Sequence, residues 1–421
     1  MISLKHLIAA PELYRNELSI RNKNPDIVAS IIQMYEQWKQ TTNQLDAIRA
    51  TKNEFNTRVI TLQGAEKLEA IAHMKQVSTH IGVLEQSQTE LKTQLDTLVS
   101  KIPNLSSSLT PQGQDDTNNV VIKSGGAKPE FSFVPKPYYE LEVYKRWVDQ
   151  QTGAKNMGSR GFYLRGSVAR FQKVLFDWAE ELILTHNFEY MYVPLMLNTQ
   201  TLTGTGHYPD FDGQMYEVPI DEQKSYFLIG SSEPSMISYY ADTNLKKLEK
   251  PLLMMANTTC FRKEAGSYGK DQQGILRVHQ FEKIEMNALC RPEDNDAVFA
   301  LHSEINEQIF DALGLHWQAV EVCTGDMPAK HYRQIDYEGW FPAAGSYREL
   351  SSNGSASDYP NRTLGITHED NLGEKQVVWG LNCTGLTMRT GLAIMEQFQT
   401  EDGRVKLPQV IAKSMGCEYL E

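Results

Sequence analysis

At 421 residues the chain exceeds one ordinary domain, and at roughly 100–200 residues per domain two or three units are expected. A composition 41% hydrophobic and 22% charged excludes global disorder, and no apolar run approaches the length of a membrane-spanning helix. A net charge of −12 argues against a protein that coats nucleic acid through bulk charge, while leaving room for a local basic patch.

The opening stretch Met1–Ile8 is too short and too weakly apolar for a signal peptide, and it lacks the Arg-rich pattern of a transit peptide. The five cysteines, at 260, 290, 323, 383 and 417, form no CxxC pair, so neither a disulfide framework nor a zinc ribbon is expected. Reduced thiols and a cytoplasmic location fit best. The ten histidines contain no HxxxH pair.

From residue 27 the chain nearly lacks Gly and Pro for about 75 residues. Apolar residues recur at steps of three and four: Ile31, Met34, Trp38, Leu45, Ile48, Phe55, Val59 and Leu62, then Met74, Val77, Ile81, Leu84, Leu91, Leu95 and Leu98. Thr41, Lys52 and Gln88 interrupt this heptad seam. Gln63–Glu66 reads as a turn, so the spacing predicts an antiparallel helical hairpin over 27–101, each helix reaching roughly 50 Å. Such a hairpin is expected to project. It serves either as a dimerisation coiled coil or as an arm that grips an extended partner. Charge does not decide, with eight Lys/Arg against nine Asp/Glu between residues 26 and 101. A stretch rich in Ser, Gly, Pro, Asn and Asp follows, and 106–137 reads as a linker with a short strand at Val120–Ile122.

Beyond it, helical patterns at 139–152, 167–186, 292–313 and 386–400 lie among strand-like runs at 188–194, 225–229, 251–264, 274–290, 316–323, 333–340, 347–352 and 376–382. Successive strands without intervening helices indicate an α+β fold, an antiparallel sheet with helices packed on one side. No GxGxxG or GxxxxGK[ST] is present, so any nucleotide chemistry must use another phosphate-binding scheme. Read as one strand, 274–286 places Leu276, Val278, Ile284 and Met286 toward the helices. Arg277, His279, Phe281, Lys283 and Glu285 then face the other way. A cation, an aromatic plate and an anion at steps of four, each roughly 13 Å apart, suit phosphate, a base and an ammonium group of one extended ligand. A solvated face with a salt bridge gives the same pattern. Arg262 and Glu264 share one face of the preceding strand, and the polar loop 265–273 is of a kind that closes over ligands.

Cys260–Ser267 followed by Arg277–Glu285 resembles motif 2 of seryl-tRNA synthetases, a class II aminoacyl-tRNA synthetase family. The resemblance spans nearly the whole chain: Leu4-Lys5, Pro11-Glu12, the hairpin closing in Ile102-Pro103-Asn104, Gly158–Gly166, Thr203–Gly206, Cys323–Met327, Arg348–Ser352 and Leu381–Leu386 stand in family order. It implies residues 1–105 as a tRNA-binding arm and 138–421 as a class II catalytic domain of bacterial type. It implies a homodimer built on the helix carrying Phe171, Val174, Leu175 and Trp178. The activity it implies is ATP-dependent activation of serine, then transfer to the 3′ end of serine tRNA, with selenocysteine tRNA left open as a second substrate.

The resemblance also assigns roles. Arg262 would bridge the α-phosphate and the serine carboxylate. Glu264 would meet the adenine amino group, and Phe281 would stack on the base. Arg277 and Arg389 would hold the outer phosphates, with Arg262 and Arg389 the catalytic cations. Glu349 and Ser352 would bind Mg2+. Ser231 and Glu285 would meet the serine ammonium group, Glu233 belongs to the same serine-binding block as Ser231, and Asn382 and Thr384 would lie by the serine side chain. Three departures stand out, one of them Asn353-Gly354-Ser355 after Ser352, where the family has Cys-Ser-Asn. Ser231 replaces the family's Thr, and Asn382 to Arg389 is one residue shorter than the family spacing, which puts the aim of Arg389 in question. A paralogue that has lost charging and acts as a binding protein is therefore the alternative.

Overall fold

The computed structural model describes residues 1–208, 212–221, 224–265 and 273–421. They divide into two compact units, Met1–Pro103 and Asn104–Glu421. The first opens with two short helices, α1 (Leu4–Ala9) and α2 (Pro11–Ile20). Ser3 caps α1 by accepting from the His6 N–H, and Pro11 starts α2 where its missing donor is not needed. Two long helices follow, α3 (Ile27–Val59) and α4 (Gly64–Val99). Between them Gly64 takes φ +60°, the left-handed conformation that glycine adopts without a Cβ penalty.

The hairpin is antiparallel. Arg49 pairs with Glu85 at 2.7 Å, and Gln88 Nε2 donates to Thr42 Oγ1 at 2.9 Å. Ile31, Leu45, Ile81 and Leu95 of the seam are buried, while Ile60, Leu68 and Val83 off the seam are exposed. The Gln88–Thr42 bond satisfies one polar interruption of the seam. At 1.5 Å per residue the helices reach about 50 Å.

The second unit is an eight-stranded sheet with helices. In chain order its strands are β1 (Val120–Gly125), β2 (Glu189–Tyr190), β3 (Leu252–Phe261), β4 (Gln280–Cys290), β5 (Trp317–Glu321), β6 (Arg333–Phe341), β7 (Ser346–Ser357) and β8 (Trp379–Thr387). They lie in the order β1-β5-β6-β7-β8-β4-β3-β2, antiparallel throughout except for the β2–β3 pair. The fold is α+β. Residues 106–137, expected as a linker, belong to this unit: β1 pairs with β5, and the Asn104 side chain just before them donates to the carbonyls of Lys330 and Ala356 at 3.0 and 2.8 Å.

Three of its helices are α5 (Gly166–Leu184), α7 (Asn295–Ala312) and α8 (Met388–Gln397), with the short α6 (Glu233–Ser238) between them in sequence. The main core joins Phe171, Leu175 and Phe176 of α5, Ile305, Ile309 and Phe310 of α7 and Leu392–Met395 of α8 to Met255, Ile284 and Met286 of the sheet. A smaller core, with Met236 and Ile237 of α6 against Met254, Ala256 and Leu289, covers part of the opposite face. Helices thus flank both faces, not one. The alternation of Met254, Met255 and Ala256 between the two cores is the period of two of a strand buried on both sides. The α5 stripe of Phe171, Val174, Leu175 and Trp178 packs into the main core, so burial within one chain accounts for it.

The expected strand 274–290 begins only at Gln280. Gly274, at φ +76°, turns the chain against Tyr138. The Tyr138 hydroxyl then accepts from the Leu276 N–H, Gln150 donates to the Gly274 carbonyl, and Arg160 donates to the Arg277 carbonyl. Side chains thus take the backbone groups that a ladder would have used, and the even 13 Å step from Arg277 to Phe281 does not apply.

One buried acid outside the cleft gives a pH-dependent prediction. Burial pushes the Glu396 carboxyl on α8 up to about 7, against hydrogen bonds from the N–H groups of Tyr138 and Ala343. Its folded value lies above the unfolded 4.5, so its contribution to stability is full below pH 4.5 and is lost as pH rises through about 7. Glu396→Gln should therefore gain stability relative to the unaltered protein by roughly 2–3 kcal/mol between pH 5 and pH 8, read from denaturant melts at both pH values. A constant difference would contradict this. His302 on α7 works in another window: burial lowers it to about 4, so its contribution is lost as pH falls from 6.5 through 4, and comparing variants at the same pH removes it.

Candidate active site

On the face of the sheet away from the main core, a cleft of 240 Å³ opens over β3, β4, β7 and β8. The described residues lining it all lie between 202 and 389, within the second unit. Arg262, just past the end of β3, is tied down on two sides: its N–H donates to the His279 carbonyl at 3.0 Å and its Nε to the Gly230 carbonyl at 3.2 Å. Its guanidinium lies over the Phe281 ring, 5.5 Å from the centroid. Arg262 and Phe281, expected on adjacent strands, are thus stacked in one place. Glu264 and Arg277 also meet there, as an ion pair at 3.3 Å. The expected ligand-closing loop, 266–272, lies outside the described residues.

Glu285 stands deeper, fully buried on β4. Its Oε1 accepts from the Ser231 hydroxyl at 2.8 Å and its Oε2 from Asn382 Nδ2 at 3.1 Å. The Lys283 ammonium also pairs with its Oε1. Thr384 lies directly across from Glu285 on β8. Glu233, at the start of α6, pairs with Lys330 at 2.6 Å and with His207 at 3.5 Å. Burial alone would raise its carboxyl, but Lys330 and then His207 outweigh burial and hold it well below the usual carboxylate range. Burial and Lys330 pull the His207 imidazole down, against Glu233.

Two bulges set the remaining geometry. Residues 349 and 352 are three apart and would face opposite sides of a regular strand. Opposite them, the register of β6 and β7 slips at Leu350, so Glu349 and Ser352 both line the cleft. A second slip at Gly385 precedes α8, which begins at Met388, two residues later than expected. Arg389, second in that helix, reaches Glu349 and donates to its carbonyl at 3.1 Å and its carboxylate at 3.3 Å. Arg389 thus lines the cleft despite the short spacing from Asn382. All twelve residues singled out from the sequence therefore line the cleft or bond directly to a residue that does.

This arrangement matches known proteins along its length. A family model described as the seryl-tRNA synthetase N-terminal domain covers residues 1–106, and one described as the class II tRNA synthetase core domain (G, H, P, S and T) covers 216–398. A serine–tRNA ligase of Nautilia profundicola is 34% identical over 98% of this chain and 100% of that protein. The chain belongs to the seryl-tRNA synthetase family. Another relative, from Fervidobacterium nodosum, is 32% identical over 100% of this chain and 99% of its own. The crystal structure of seryl-tRNA synthetase from Pyrococcus horikoshii complexed with ATP superposes with a TM-score of 0.91 at 28% identity, covering 100% of this chain and 99% of that one.

In this member of the family the cleft holds groups that sequence reasoning passed over. His207 and Lys330 carried no local signal, because only the tertiary fold brings them to Glu233. Asp336 sits on β6 opposite Ser352, and Gln334 donates to it at 2.8 Å. Burial, with Glu349 next, pushes the Asp336 carboxyl up to about 7, against hydrogen bonds from Gln334 and Ser352. It could have been found only by pairing β6 with β7 in register. Among the described residues no three His, Cys, Asp or Glu side chains are grouped as a metal site, and no helix is long and apolar enough to cross a membrane.

Proposed function

We propose that this protein is a serine–tRNA ligase. It would form seryl-adenylate from serine and ATP, then move the seryl group to the 3′ end of serine tRNA. The observation that carries this reading is the pairing of two sites in one cleft: Arg262 stacked over Phe281, and the buried Glu285 carboxylate held by Ser231 and Asn382. The first suits a nucleotide and the second an ammonium group. Joining a carboxylate to a phosphate brings two anions together, so cations and alignment matter more than a side-chain nucleophile.

In this reading Arg262 lies between the α-phosphate and the serine carboxylate, both suited to its planar fork. Phe281 stacks on adenine and Glu264 accepts from its amino group. Arg277 and Arg389 take the outer phosphates, so the Arg277–Glu264 and Arg389–Glu349 pairs open when ATP binds. Glu285 and Ser231 hold the ammonium group, with Glu233 behind them, and Asn382 and Thr384 face the serine hydroxyl. A pocket of such groups rejects alanine because they would be left unpaired.

Glu349 and Ser352 are hard oxygen donors and fit Mg2+, which they would hold with Asp336 nearby. The metal would supply charge neutralisation at the phosphates. The first unit would form the tRNA arm, the second, 106–137 included, the catalytic domain, and the cytoplasm the location. Serine-dependent pyrophosphate exchange tests the ligase reading. Its absence from a folded protein would favour the paralogue that has lost charging.

A homodimer accompanies this reading. With the α5 stripe buried inside the chain, support comes instead from Tyr190, Tyr192, Leu195 and Met196, apolar residues exposed on and just after the edge strand β2. Sedimentation at micromolar concentration should show a species of about twice the 47.8 kDa chain mass, and a species of chain mass alone would remove the dimer.

A further inference from the structure

Glu285 is fully buried, and its cation here is internal: the Lys283 ammonium pairs with the same Oε1 that accepts from Ser231. Both side chains rise from the cleft face of β4, and Lys283 lines the cleft between Phe281 and Glu285. A ligand ammonium that binds Glu285 must therefore displace Lys283. A half-buried cation stripped of its partner is costly, so displacement needs a new anion for Lys283 at the same moment. A free amino acid carries one. We propose that the serine zwitterion inserts into the Lys283–Glu285 ion pair, its ammonium passing to Glu285 and its carboxylate to Lys283 beside Arg262.

This proposal rests on the ligase reading and adds a specificity rule to it. Insertion leaves the pocket's net charge unchanged only for a ligand bearing both charges. An ammonium without a carboxylate strands Lys283, and a carboxylate without an ammonium cannot open the pair. Lys283 is thus a second carboxylate-binding cation, and it selects against amides and esters of the amino acid. Glu233 has its own counter-ion in Lys330, so the second lysine of the cleft is already engaged and does not take the place of Lys283. Once the carboxylate has become the mixed anhydride, Lys283 faces a group that has lost its negative charge, so the pair it makes with the ligand is spent in the reaction.

The test compares affinities for serine and serinamide, read by calorimetry and by competition in pyrophosphate exchange. The unaltered protein should prefer serine strongly. In Lys283→Met the preference should fall roughly tenfold or more, chiefly because serinamide binds better once no lysine is stranded. Lys283→Gln keeps a hydrogen bond to Glu285, guarding against misfolding of the Met variant, and should show the same fall. Lys283→Arg should restore the preference. A merely structural lysine would weaken both ligands alike, so a ratio within twofold of the unaltered value in a folded Met or Gln variant overturns the insertion. Serine-dependent exchange by the unaltered protein is scored separately: exchange with an unchanged ratio removes only this proposal, whereas no exchange at all removes the reading beneath it.

Discussion

Arg262→Ala should abolish adenylate formation, with serine-dependent pyrophosphate exchange falling on the order of 100-fold or more in kcat. One well-placed donor to a developing charge is often worth about 3 kcal/mol, and Arg262 would serve two anions at once. Its geometry makes the loss hard to repair. The side chain is fixed by the Gly230 carbonyl and the Phe281 ring, and its backbone is bonded to His279. Neither Arg277, paired with Glu264, nor Arg389, paired with Glu349, stands in the same position. Lysine should rescue poorly, because a point charge cannot meet two oxygens in a plane.

Glu285→Ala should fail differently. The carboxylate would bind the ammonium group, which is not the reacting centre, so the loss should appear mainly as a rise in KM for serine. Part of that rise comes from Lys283, which would be left half-buried without its partner. A kcat loss for Arg262→Ala and a KM rise for Glu285→Ala, measured in the same exchange assay, separate the two roles. Rates within threefold of the unaltered enzyme for either variant would remove that residue's assignment.

How much of this was legible in the sequence follows from the range of each signal. The hairpin was readable because its seam repeats over nine turns, so a single interruption such as Gln88 is outvoted. The alternation of Phe281, Lys283 and Glu285 against Ile284 and Met286 was readable because β4 is regular there. The start of β4 was not. Nothing local in Gly274–His279 announces that Tyr138, Gln150 and Arg160, all more than a hundred positions earlier, will take its backbone groups. The bulges at Leu350 and Gly385 were hidden for the same reason, since a bulge belongs to a pair of strands and not to one. They decide the site, however. Without the first, Glu349 and Ser352 would face apart. With the second, the short run from Asn382 to Arg389 still delivers the arginine to Glu349. His207, Lys330 and Asp336 show the remaining limit: a charged residue acquires its role from partners that only the assembled sheet provides.

Removing Met1–Pro103 should leave pyrophosphate exchange within about threefold of the full chain and lower charging of serine tRNA about 100-fold or more, a difference near 2.7 kcal/mol in productive tRNA binding. The cut follows the boundary between the units, because deleting 27–101 alone would strip α2 of the α3 surface it packs against. Exchange should survive since the described residues of the cleft lie within 202–389. Charging should collapse if the hairpin holds the tRNA. Serine codons fall in two unrelated groups, so the anticodon is a poor identity signal, and recognition must use another feature of the molecule. A double-stranded RNA arm has a major groove closed to side chains and is read by shape and backbone. Two helices of about 50 Å have the length for that. With eight basic against nine acidic residues between 26 and 101, the contacts should be few, and the salt dependence of tRNA binding should be shallow, its slope counting the phosphates touched. The competing account makes the hairpin a dimerisation device. It requires truncation to yield monomers and to damage both half-reactions together, whereas the subunit contact proposed at the exposed Tyr190 and Tyr192 would remain in the truncated protein. Exchange, charging and sedimentation measured on one truncated protein separate the two accounts, and an equal loss of exchange and charging would count against the tRNA arm.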